Sequence, residues 1–265
     1  MAPLELNVRP QLVVLGASNV SRGLARLAAI TRARTGGSAD LFVAAGHGRS
    51  YGVNSRVALR RLPSILGCGL WRALDRERAT KVEPAPPLAL VTDIGNDLLY
   101  GFAVDQVAAW VRESVRRLAD RGATIAITRL PLASIGGVGR VRYRALRTCY
   151  VPGCRLALDE MKVAAGRLDA AVVAIADDVG AIVVEQPGEW YGLDAIHVRR
   201  RRLDDFWHGV CGAWGWPEGV SPAGPSFLDW ALLGSQAAEV RSVARVMRFT
   251  PQPVVQRPDL RLWLY

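Results

Sequence analysis

The sequence predicts an α/β protein, with a five-stranded parallel sheet between two helical layers in a flavodoxin-like α/β/α arrangement. Three observations predict it. Short apolar runs rich in β-branched residues alternate with longer amphipathic stretches. Those runs are continuous rather than alternating, as strands buried on both faces should be. Finally, 265 residues, half of them hydrophobic, suffice for one substantial core.

The strand candidates are Gln11–Leu15, Leu41–Ala45, Leu88–Asp93, Thr124–Thr128 and Ala181–Glu185. Between them, Val20–Arg34 puts Leu24, Leu27 and Ala28 on one helical face. The stretch Val104–Arg121 repeats apolar residues at Val107, Val111, Val115 and Leu118 and stops at Gly122. Leu156–Val179 is helical throughout, long enough for two helices. The segment VNSRVALRRL after Gly52 reads as a further helix, as does Ser226–Arg248. Pro63–Pro87 and Pro131–Arg155 read as long connections that shape specificity at the site edge. Trp216–Pro225 reads as a linker. It divides residues 1–217, the catalytic-type domain, from an extension at 218–265 whose apolar, proline-broken tail is suited to clasp its own domain or a second subunit in a homo-oligomer.

The start of the chain lacks a basic region followed by a long apolar run, so no signal peptide is expected. No apolar stretch reaches the roughly 18–20 residues of a bilayer span. A soluble, cytoplasmic protein is expected. Cys68, Cys149, Cys154 and Cys211 are too few for a disulfide framework and lack a second ligand pair for zinc, so free thiols and no metal are expected. The net charge is +10, carried almost wholly by arginine, since Lys81 and Lys162 are the only lysines. No aromatic-interleaved basic stripe accompanies it, so nucleic acid is not the expected partner. The run Arg199–Arg202 reads as a solvated helix face that could also draw anionic substrates.

In parallel sheets, sites form beyond the carboxyl ends of the strands. After the first strand stands Gly16-Ala17-Ser18-Asn19, where Ser18 is either a helix cap or a nucleophile at a helix N-terminus. After the second stands Gly46–Gly52, whose glycines allow close backbone approach to a ligand. Asp93–Asp97 follows the third, and Asn96 there can aim its amide at a developing oxyanion or simply open a turn. After the fifth, Asp194 precedes His197 by three residues, a spacing that lets the carboxylate bond Nδ1 and leave Nε2 as a base. All four segments share one sheet edge.

In this order the residues resemble the SGNH/GDSL hydrolase superfamily, over about residues 11 to 214. Gly16-Ala17-Ser18 matches its Gly-Asp-Ser block, Ile94-Gly95-Asn96-Asp97 its Gly-x-Asn-Asp block, and Asp194-Ala195-Ile196-His197 its Asp-x-x-His block. The resemblance implies that fold and an ester or acyl hydrolase without cofactor, acting on a small-molecule ester. Ser18 would be nucleophile, His197 general base and Asp194 its orienting acid. Ser18, Gly52 and Asn96 would form the oxyanion hole, with Gly48 the other candidate for the glycine. Ala17, Ile94 and Val198 depart from the family pattern and mark a divergent member. An acyltransferase with the same triad and a catalytically silent binding protein are the alternatives. A nucleotide enzyme built on Gly46–Gly52 lacks an acidic ribose ligand at the right distance.

Overall fold

The computed structural model describes residues 9–216 and 224–265. The expected absence of a leader, and most of the linker, lie outside these residues.

The first strand, β1 (Gln11–Leu15), feeds α1 (Ser18–Arg34). Next come β2 (Ala39–Ala44) and a two-residue hairpin of β3 (Ser55–Val57) and β4 (Arg60–Leu62). α2 (Leu70–Ala79) and β5 (Leu88–Val91) follow, then the short α3 (Asn96–Leu99) and α4 (Val104–Ala119). β6 (Thr124–Thr128) leads to α5 (Leu132–Gly136), α6 (Arg140–Tyr150) and α7 (Leu158–Val179). The remainder is β7 (Ile182–Val184), α8 (Leu203–Ala213), α9 (Phe227–Ser235), β8 (Val240–Val243), β9 (Val246–Phe249), β10 (Val255–Gln256) and β11 (Leu260–Leu264).

The five expected strands form one parallel sheet in the order β2-β1-β5-β6-β7. The sheet is larger than expected. β11 adds to β2 in parallel, and β10 adds to β11 antiparallel, giving seven strands. The C-terminal tail thus enters the sheet of its own chain. Alternate strand residues explain the two cores. Val13, Leu15, Phe42, Val91 and Ile127 face α2, α4 and α7, with Trp71, Val111 and Leu168 among their partners. Leu12, Val14, Leu41, Val43 and Leu90 face α1 and α8, with Leu27, Phe206 and Trp207. The result is the three-layer α/β/α fold.

Three local expectations are corrected. VNSRVALRRL is not a helix but the β3–β4 hairpin, in which Leu62 is the one large apolar side chain buried and β8 supplies β4 with a partner strand. Ser226–Arg248 is helical only to Ser235. Beyond it β8 and β9 pair with the hairpin as a separate four-stranded sheet, β3-β4-β8-β9. The two long connections also carry structure, α2 in the first and α5 and α6 in the second. The stretch Leu156–Val179 holds one helix, Leu158–Val179, ended by Gly180 at φ +68°. The run at Arg200–Arg202 is a 3₁₀ turn that leads into α8.

Strand order reverses between β1 and β5, because α1 crosses to one side and the chain after β2 returns to the other. A crevice opens at such a point. Ser18 follows β1 and Asp93 follows β5, so both stand at its mouth.

Candidate active site

The chain leaves β1 through Gly16, where an added Cβ would lie 2.5 Å from Val20 and 2.9 Å from Thr92. Only glycine fits, and the turn delivers Ser18 to the first position of α1. No acidic side chain lies in that first turn of the helix. The carboxylate comes instead from Asp93 on the neighbouring strand end, held at φ +59°. Asp is among the residues that tolerate this left-handed backbone. Asp93 Oδ2 accepts the N–H groups of Ala17 at 2.7 Å and Asn19 at 3.0 Å. The N–H of Ser18, between them, makes no protein hydrogen bond among the described residues.

Asn19 is the second fixed point. Its Nδ2 donates to Asp93 Oδ1 at 2.7 Å and to the Ile196 carbonyl at 3.0 Å, while its Oδ1 accepts the Val198 N–H at 2.9 Å. One buried amide thereby fastens the start of α1 to the residues on both sides of His197. The His197 segment is also anchored by a bridge between Val198 and Tyr191 and by the Arg199 N–H on the Trp190 carbonyl, 2.8 Å.

These anchors bring together three of the residues singled out in the sequence. Ser18 Oγ lies 2.7 Å from His197 Nε2, and His197 Nδ1 is hydrogen-bonded to Asp194 Oδ2. Burial works against ionisation of Asp194. The His197 ring, the Ile196 N–H and the Tyr150 hydroxyl outweigh it, and the carboxyl sits below its ordinary value. An ionised carboxylate only accepts, so Nδ1 carries the proton and Nε2 of the neutral ring is left to accept from the Ser18 hydroxyl. Tyr150, at the end of α6, donates to Asp194 Oδ2 at 3.0 Å and sets its ring edge toward His197, 5.6 Å between centroids.

Asn96 opens α3 and lines a cavity that it shares with Asn19, Asp93, Asp194 and Ile196. Its side-chain amide has no protein hydrogen bond among the described residues, so its donors are free. The next residue, Asp97, is buried and accepts the Tyr51 N–H at 3.0 Å. Burial raises its carboxyl above the ordinary value, although the Ser50 hydroxyl and the Tyr51 N–H lean the other way. The cavity, about 110 Å³, runs from these polar groups beneath α5 and α6, between Leu130, Ile135, Val138, Tyr143, Leu158 and Met161.

Gly52 is not brought to this group. Its N–H donates to Ser50 Oγ at 3.2 Å, and a Cβ there would lie 2.0 Å from the Trp110 indole. Gly52 is a packing glycine, needed where the chain crosses a tryptophan face. The helix expected to begin after it is the β3–β4 hairpin. In the loop ahead of Gly52, the His47 imidazole is shifted down, chiefly by burial and then by Arg60. Gly48 in that loop has φ +64°, and its carbonyl accepts the Tyr100 hydroxyl at 2.6 Å.

Asp93, Asn19 and Tyr150 were missed in the sequence. Asp93 and Asn19 lay inside motifs already singled out, yet their partners are 74 and 177 residues away. Tyr150 had no motif at all.

No family model matches the chain, and no curated protein does. Solved structures do. An esterase from Pseudoalteromonas sp., described as psychrotrophic, is 15% identical over 77% of this chain and 97% of its own, with a TM-score of 0.46. A carbohydrate acetylesterase family member from Sinorhizobium meliloti is 13% identical over 78% and 99%, TM-score 0.48. A GDSL-like lipase from Bacteroides thetaiotaomicron is 11% identical over 77% and 86%, TM-score 0.45. Likeness at this level concerns the layout of the chain, and the chemistry of the site rests on Ser18, His197 and Asp194 themselves.

Proposed function

We propose that the chain is a serine-dependent ester hydrolase, a divergent member of the SGNH/GDSL superfamily. The observation that carries this reading is the Ser18 Oγ to His197 Nε2 distance of 2.7 Å, with Asp194 on the far side of the same ring. In this reading His197 takes the Ser18 proton as the oxygen attacks an ester carbonyl, then returns it to the leaving alcohol. Water, activated by the same imidazole, releases the acyl group from Ser18. Asp194 holds the ring in the tautomer that leaves Nε2 free, and stabilises the imidazolium when it forms. The developing oxyanion is met by the Ser18 N–H and the Asn96 amide, both without protein partners. Gly48 replaces Gly52 as the candidate for a third donor. The apolar cavity beside Asn96 takes the hydrocarbon part of the substrate.

The test is hydrolysis of short-chain aryl esters by wild type and Ser18→Ala. Turnover by wild type and none above background by the variant is expected. Equal rates would end the proposal.

A further inference from the structure

The four-stranded sheet β3-β4-β8-β9 has no part in the chemistry above. Its two hairpins, residues 54–63 and 240–250, contain Arg56, Arg60, Arg61, Arg241, Arg245 and Arg248 and no Asp or Glu. None of the six is in an ion pair among the described residues, and no carboxylate stands within either hairpin to balance them. Register makes the crowding sharper. Arg56 stands directly opposite Arg61, and Arg241 directly opposite Arg248. Like charges paired across strands destabilise a sheet. Arginines on β3 and β9 could serve to guard free edges against further pairing. Arg61 and Arg241 stand on the two inner strands, where no edge needs guarding.

The inner and outer faces differ. Val57, Arg60 and Leu62 turn toward the loop at Gly46–Gly48, where Cβ atoms added to the glycines would touch Leu62 and Val57. The row Arg56–Arg61–Ser242–Met247 crosses the opposite face. That face is a concavity of about 770 Å³, with Arg241, Arg245 and Leu59 also in its lining. Large apolar side chains stand in water among the arginines: Leu59 is 65% exposed, Met247 54% and Phe249 72%. At the tips, Ala244 donates to the Leu59 carbonyl at 2.9 Å, so Leu59 and Arg245 are held side by side. The β8–β9 turn, Ala244-Arg245, has φ +50° and +69°. Asn-Gly is the favoured pair there, so an arginine is kept at the tip against backbone preference.

We propose that this face docks on an anionic phospholipid surface. Phosphates of the headgroups meet Arg56 and Arg61 on this face and Arg245 at its tip, and Leu59, Met247 and Phe249 enter the layer beneath them. A soluble phosphate polymer would satisfy the arginines but leave the aliphatic side chains in water, so the mixture of the two favours a bilayer. The docking does not depend on the hydrolase reading, and Ser18→Ala should bind vesicles as wild type does.

The test is flotation of the full chain with vesicles of phosphatidylcholine alone, and of phosphatidylcholine with one-third phosphatidylglycerol, in a salt series. Binding to the anionic vesicles only, released by salt, is expected. Arg56→Glu with Arg61→Glu should weaken it on the order of tenfold or more, and Leu59→Ser with Phe249→Ser should weaken it as well. Circular dichroism checks that the variants fold. If the charge-reversed protein does not fold, the wild-type salt series carries the electrostatic arm alone. Absence of flotation, equal binding to neutral vesicles, insensitivity to salt, or undiminished binding by folded charge-reversed protein would overturn the proposal. Undiminished binding by the apolar pair of substitutions would overturn it in favour of a soluble polyanion.

Discussion

Asp93 holds Asn19 with both carboxylate oxygens, Oδ1 on the side-chain amide at 2.7 Å and Oδ2 on the backbone N–H at 3.0 Å. Through Asn19 the same carboxylate is tied to the segment that carries His197. The distance from Ser18 to His197 is therefore set by a residue that touches neither. Asp93→Asn keeps the shape and tolerates the left-handed backbone, but turns a donor toward donors. It is expected to cost about 1.5–3 kcal/mol in denaturant unfolding, the range for hydrogen bonds to a charged group. Ester turnover of the folded protein should fall on the order of tenfold or more, because the reacting groups lose alignment. Wild-type stability and turnover would show that the clamp is idle.

Asn96 offers the opposite case. Its amide has no protein partner, so removing it leaves nothing unsatisfied. Asn96→Ala should lower kcat on the order of 10²–10³ while unfolding changes by less than about 0.5 kcal/mol. A large loss of stability with little loss of kcat would assign Asn96 to the fold.

Tyr150 bears on pH. Asp194 must be ionised to hold His197, and its carboxyl lies below the ordinary value despite burial, with Tyr150 among the groups that lower it. A depressed carboxylate contributes fully above its unfolded value and is lost as pH falls through its folded value. Tyr150→Phe removes one donor, so the folded value rises. The acid limb of the pH–stability curve should move to higher pH. An unmoved limb would mean that the Tyr150 hydroxyl contributes nothing to holding the charge.

Gly52 and the oxyanion hole can be separated by stability. Gly52→Ala drives a methyl group to within 2.0 Å of the Trp110 indole. It should destabilise the protein by about 2 kcal/mol or more, in the overpacking range, with kcat of the folded fraction near wild type. A kcat defect without a stability defect would return Gly52 to the site.

Much of this architecture was legible in the sequence. Buried parallel strands are continuous apolar runs, and all five were visible as such. That Ser18, Asp194 and His197 come together could be read because each lies just past a strand or on one turn, and the switch point gathers such positions. What was not legible depends on distant pairing. β11 reads as a proline-broken tail until β2 offers it an edge. The β3–β4 hairpin, with three arginines in eight residues, has little apolar alternation of its own and is completed by β8, some 180 residues away. Gly52 and Gly48 look alike in a row of letters. The fold distinguishes them, with Gly48 at φ +64° beside Tyr100 and Gly52 against the Trp110 indole.

The most direct measurement is covalent labelling with a fluorophosphonate, followed by mapping of the modified peptide. The probe mimics an acyl substrate and reacts only with a hydroxyl activated by a base. Labelling at Ser18 in wild type is predicted, reduced to background in His197→Ala, which keeps the serine but loses its proton acceptor. Folded wild-type protein that takes no label, or label at Ser18 that persists undiminished in His197→Ala, would contradict the account.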